Sequence, residues 1–327
     1  MKYFLLVVSL IVISNVSAKS PDGVSIEYSW NKLLFESDLQ INQHHFLYEL
    51  ARDKNYFEKI VAETQLDSKD RSILNLAVDT YKSNMNIRHV LFDYGVIPQT
   101  TSKVLAHEKI ESNTTIEKAF SSFKPLYERI YWVKHNKRNK KWIKNLAPKL
   151  NQHGAEIQAE LEQIFDAPLF TEKGHMISVV YKPGIKQGAY TSSRSMQSVI
   201  NSTYKDFLDW YALEIVFHEI SHANSFNRSS KLFKLIETVF KERGLESETG
   251  IWHPILFYTV GEVVKKVTSS QNPDYITYAD RNDLYTDSWD YKEILIQYWK
   301  PYLEGKVTMM VALDNIARKL QQRRKAA

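Results

Sequence analysis

Across residues 29–165 apolar side chains return every third or fourth position, as at Ile73-Leu74, Leu76-Ala77 and Tyr81, with few Gly or Pro to interrupt them. That spacing places the apolar side chains on one face of a helix, whereas a strand would need alternation. The first half of the chain is therefore expected to be helical. Side-chain oxygens mark two helix starts, Asp67 or Ser68 ahead of Lys69-Asp70-Arg71, and Thr114 or Thr115 ahead of Glu117.

The period changes after Pro168. His175-Met176-Ile177-Ser178-Val179-Val180-Tyr181 is rich in β-branched and aromatic residues and runs into Lys182-Pro183-Gly184. A second extended candidate, Gly188-Ala189-Tyr190-Thr191-Ser192, follows, and the pair reads as a short sheet or hairpin. Helical spacing then resumes over residues 204–224, 231–243, 252–268, 289–303 and 306–323. The expected class is α+β and predominantly α-helical: a helical N-terminal region (19–167), a short antiparallel β element, and a helical C-terminal region within 168–327.

At the start, Lys2 precedes an apolar stretch from residue 4 to 13, and Val16-Ser17-Ala18 supplies the small residues of a cleavage site. Residues 1–18 thus read as a signal peptide, and the mature chain is expected in the periplasm or secreted, with no transmembrane segment. With 327 residues, 43% of them hydrophobic, the chain can bury a core without disulfides. It contains no Cys, so thiol catalysis and Cys-based metal sites are excluded and any metal ligands must be His, Asp or Glu. A net charge of +5 is too small to identify a polyanion binder, and no nucleic-acid partner is expected. The basic run at 134–144 (KHNKRNKKWIK) is either a polyanion-binding face or a solvated helix face with Trp132 and Trp142 turned inward.

The chemistry concentrates at Ile215-Val216-Phe217-His218-Glu219-Ile220-Ser221-His222-Ala223-Asn224. Two His four residues apart share a helix face, so His218 and His222 can aim at one zinc ion. Glu219, offset by about 100°, reaches past the ion toward a water, the position of a general base. Glu214, one turn before His218, can orient a ligand His or make a surface ion pair.

This HExxH segment resembles the zinc metallopeptidases called zincins. The Gly and third His of the metzincin branch are not met, since Ser225 and Arg228 stand there. The resemblance therefore points to the gluzincin type, whose third ligand is a Glu on a later helix. Glu262, the only carboxylate of the apolar run Trp252–Val264, fits that place, and Gly261 beside it would let its helix come close; otherwise Glu262 is a structural carboxylate paired with Lys or Arg. His253 is the rival, nine residues earlier and so on nearly the opposite helix face. It is otherwise a helix-start residue before Pro254 or an oxyanion-stabilising group. Tyr190, Tyr258, Tyr278 and Tyr285 are further candidates for that last role.

The resemblance implies a peptide or protein substrate, zinc as cofactor, and the β element as an edge for an extended peptide. The alternatives are a non-catalytic zinc-binding protein and a helical envelope protein interacting through 134–144.

Overall fold

The computed structural model describes residues 24–85, 95–182, 188–192, 195–288 and 290–326. The signal-peptide reading of 1–18 lies outside them, as do Pro183 and Gly184. Among the described residues no helix is long and apolar enough to cross a membrane.

The chain opens with two strands, β1 (Ile26–Trp30) and β2 (Leu33–Glu36). Five helices follow: α1 (Leu39–Arg52), α2 (Lys54–Glu63), α3 (Ser68–Ser83), α4 (Val96–Leu105) and α5 (Thr115–Tyr127). A π-turn at Glu128–Trp132 joins α5 to the long α6 (Val133–Phe165). Then come β3 (His175–Val180), β4 (Ala189–Ser192) and β5 (Gln197–Asn201). The C-terminal helices are α7 (Trp210–Ala223), α8 (Lys231–Glu242), α9 (Trp252–Thr268), α10 (Tyr278–Arg281), α11 (Lys292–Ile294), α12 (Lys300–Leu303) and α13 (Met309–Ala326). The protein is α+β and predominantly helical, as the periodicity implies.

Both helix starts fall where the side-chain oxygens place them. Asp67 accepts from Asp70 N at 2.7 Å, and Thr114 and Glu117 form a reciprocal capping box. The β element differs from a hairpin. It is a five-stranded mixed sheet in the order β1-β2-β3-β5-β4, with β2, β3 and β5 parallel and an antiparallel strand at each edge. β5 lies between β3 and β4, so the two predicted strands never pair directly. Two further strands, β1 and β2, come from the region expected to be helical. A four-residue buried run such as Leu33-Leu34-Phe35-Glu36 is too short for periodicity to separate strand from helix.

Alternate residues of the sheet enter two cores. Leu33, Phe35, Ile177, Val179 and Ile200 face a core shared with α6, α7 and α9, while Val180, Tyr190 and Val199 face the core of α1, α3 and α5. The sheet lies between the two cores. α6 belongs by its buried stripe, Trp142, Leu146, Leu150, Ile157 and Leu161, to the C-terminal core. Its Gly154 makes room for Trp30, since a Cβ there would stand 2.4 Å from the indole ring. The basic run is the solvated face of this helix: Lys137, Lys140, Lys141 and Lys144 are exposed, whereas Trp142 is buried and donates to Phe207 O at 2.7 Å.

Buried histidines recur through the N-terminal core. His135 stacks on Tyr181 at 3.9 Å and bonds Tyr127 Oη at 2.9 Å, and burial holds its pKa down at about 3. In the unfolded chain the imidazole takes a proton near its ordinary 6.5. Between these values the unfolded state binds the extra proton, so stability contributed by neutral His135 is lost as pH falls from about 6.5 toward 3. His135→Phe is expected to flatten the pH dependence of stability in that window by up to about 1.4 kcal/mol per pH unit. Denaturant titrations at pH 6.5 and 4.5 check this; equal slopes for variant and wild type would contradict it.

Candidate metal centre

α7 packs against β4 and β5 on the sheet and against α6 and α9, which also contact each other. Nearly every side chain from Ala212 to Ala223 is buried, so a charged or polar group on this helix is either partnered or functional. Asp209 precedes it with φ 56°, and the helix begins one residue later than that turn.

The one-turn spacing brings His218 and His222 together, with their Nε2 atoms 3.0 Å apart. A third imidazole arrives from the first turn of α9: His253 Nε2 stands 3.4 Å from His218 Nε2. Ligand atoms of these three residues all lie within 4.8 Å of one another, a grouping that can hold a metal ion. No carboxylate belongs to it.

Glu262 is therefore not the third member. Its Oε2 sits 4.0 Å from Lys300 Nζ on α12, and its side chain is 25% exposed. The reason is rotation along α9. Nine residues amount to two and a half turns, so once His253 faces α7, Glu262 faces away. At Gly261 a Cβ would stand 2.9 Å from Thr277 Cβ and 3.1 Å from Glu214 Oε1, so Gly lets α9 pack against the segment that leads into α10, beside Glu214 of α7.

The cluster is walled by aromatic rings. Phe257, one turn after His253, stacks on His218 with ring centroids 3.7 Å apart, and Trp252 stacks on His253 at 4.8 Å and meets His222 edge-on at 5.5 Å. Burial disfavours the charged imidazolium, and the neighbouring rings add to the effect. His253 is held down to about pKa 4, and His218 and His222 lie well below their ordinary value. All three stay neutral at physiological pH, with lone pairs available for a metal. His218 Nδ1 is buried and has no hydrogen-bond partner among the described residues, so stacking on Phe257 orients this ring.

Glu214 does not orient a ligand His. It accepts from Tyr275 Oη and from Tyr278 N at 3.0 Å, tying α7 to the segment before α10, and burial pushes its pKa up to about 7. Glu219 follows His218 directly and is also buried. Desolvation raises its carboxyl to about pKa 7, opposed by a hydrogen bond from Thr191 Oγ1 to Oε2 at 2.6 Å.

Among the oxyanion candidates only His253 touches the His pair. Tyr190 points through the sheet to the other core and bonds His45 Nε2 at 2.6 Å. Tyr258 and Tyr285 pack against each other at 6.3 Å, and Tyr278 stacks behind Phe257 at 5.8 Å. Thr191, Phe257 and Trp252 carry no motif that sequence reasoning could single out. Comparison of the chain with protein-family models, curated proteins and solved structures finds no match.

Replacing one member of the His trio should empty the centre. With zinc limiting, His253→Ala is expected to retain less than about a tenth of the wild-type metal, and Glu262→Gln all of it. Elemental analysis after gel filtration reads both, and the reverse pattern would restore Glu262 as the ligand.

Proposed function

We propose that the protein is an exported zinc-dependent metallopeptidase in which His218, His222 and His253 hold the metal and Glu219 is the general base. The observation that carries this reading is the convergence of His218 and His222 of α7 with His253 of α9, with buried Glu219 following His218 on α7. Zinc–nitrogen bonds of about 2.0–2.1 Å at tetrahedral angles set ligand nitrogens roughly 3.3–3.4 Å apart. Two of the three separations, 3.0 and 3.4 Å, bracket that distance, and all three ligand atoms lie within 4.8 Å of one another. Three protein ligands leave a fourth position open, as catalytic rather than structural zinc requires. The His-only donor set also suits zinc better than calcium or magnesium, which take oxygen.

Bound zinc supplies Lewis acidity, which makes water a nucleophile at neutral pH and polarises a carbonyl. The protein's own part is proton handling and positioning. Glu219, a buried carboxylate whose affinity for a proton is raised by desolvation, takes the proton of the attacking water and returns it to the departing amine. β4 is the edge strand of the sheet and contacts α7, so an extended peptide adding to its outer edge would run past the centre. Neutral imidazoles and stacked aromatics surround the metal position and exclude competing charge.

Zinc-loaded protein is expected to hydrolyse casein, to lose activity with a chelator and to regain it on addition of zinc. Glu219→Gln is expected to lower turnover by at least about 100-fold while metal content stays unchanged. Undiminished hydrolysis by Glu219→Gln would overturn the assignment of the base.

A further inference from the structure

We propose that Thr191 is a positioning residue for Glu219, at the end of a one-way hydrogen-bond relay that begins at buried His175. The proposal rests on the peptidase reading for what Glu219 does. The relay crosses four elements. His175 Nε2 on β3 lies 2.7 Å from Ser198 Oγ on β5, Ser198 Oγ lies 2.7 Å from Thr191 Oγ1 on β4, and Thr191 Oγ1 lies 2.6 Å from Glu219 Oε2 on α7. Thr191 and Ser198 are direct partners in the β4–β5 ladder, so the sheet register itself sets the middle link.

The direction of every proton follows from the two ends. In the ionised form that acts as the base, the Glu219 carboxylate only accepts, so Thr191 donates its single hydroxyl proton to it. Thr191 can then only accept from Ser198, and Ser198 only from His175 Nε2–H. The far end gives the same answer independently. His175 Nδ1 is buried without a partner among the described residues, and a proton there would be an orphaned donor. The Nε2–H tautomer leaves only a lone pair unmatched, the smaller cost, and burial keeps the ring neutral.

The relay does mechanical work on the base. Thr191 Oγ1 also stands 2.9 Å from the main-chain oxygen of Glu219, so its one hydroxyl proton lies between two acceptors of the same residue, with the shorter contact to Oε2. Oε2 is thereby occupied, while Oε1 has no hydrogen-bond partner among the described residues and is the oxygen left to take a proton. A β-branched Thr has few χ1 choices, which narrows the orientations the bond can adopt. The same strand that would receive the peptide thus aims the base at it. Because the Thr191 hydrogen bond acts on the base and not on metal or peptide, its removal affects turnover rather than substrate binding.

The test compares zinc-loaded full-length Thr191→Val, which keeps shape and branching, with Thr191→Ser, which keeps the hydroxyl, using fluorescein-labelled casein. Thr191→Val is expected to lower kcat about 10- to 100-fold with KM within about twofold and metal content unchanged, and Thr191→Ser to restore kcat to within about fivefold of wild type. Wild-type kcat in Thr191→Val, or equal impairment of both variants, would overturn the positioning role. A second readout needs no activity. In ¹⁵N-histidine-labelled protein, with the resonance assigned through His175→Gln, His175 is expected as the Nε2–H tautomer, and Ser198→Ala should abolish the slow exchange of that proton. An Nδ1–H tautomer in the wild type would overturn the relay. A wild-type chain inactive on casein strikes at the peptidase reading instead, and the relay then stands or falls on the tautomer.

Discussion

The close approach of α9 to α7 is the contact on which the site depends. It places His253 over the His218–His222 pair, and Gly261 further along α9 leaves room for Thr277 and for Glu214 of α7. Everything else on these helices follows that contact. Phe257 is carried onto His218, Trp252 onto His253, and Glu262 is turned outward toward Lys300. Overpacking at a helix contact of this kind typically costs about 1–3 kcal/mol, enough to shift His253 out of register with the His218–His222 pair.

Burial then decides the chemistry of each group. The same low-polarity surroundings that keep His218, His222 and His253 neutral push Glu219 toward a proton. One physical cause thus prepares two complementary parts, lone pairs for a metal and a carboxylate with raised affinity for a proton. The sheet contributes on both faces. Tyr190 and His45 pin β4 to the N-terminal helices, and on the opposite face Thr191 reaches Glu219. The N-terminal region is therefore part of the scaffold that fixes the edge strand.

Much of this was legible in the residues. The spacing His218-Glu219-x-x-His222 fixes a shared helix face before any coordinates are known, and capping oxygens at Asp67 and Thr114 fix helix starts. The third member was half legible. Helix rotation correctly forbids His253 and Glu262 from sharing one centre, but choosing between them needs the direction in which α9 faces α7. The choice of Glu262 assumed a buried, unpaired carboxylate; the carboxylate is partly exposed and has Lys300 nearby. Strands β1 and β2 and the position of β5 were not legible, because short buried runs carry no period and pairing across the intervening residues 37–174 leaves no local signal. Thr191 falls in the same class: its role exists only through a cross-strand neighbour and a helix.

The central claim, a metal held by three imidazoles, is tested most directly by X-ray absorption at the zinc edge on the loaded protein. The account predicts a four-coordinate centre with three imidazole nitrogens at about 2.0–2.1 Å and one further light atom. A shell of two imidazoles with a protein carboxylate, or a zinc signal no different from that of zinc in buffer, would contradict it.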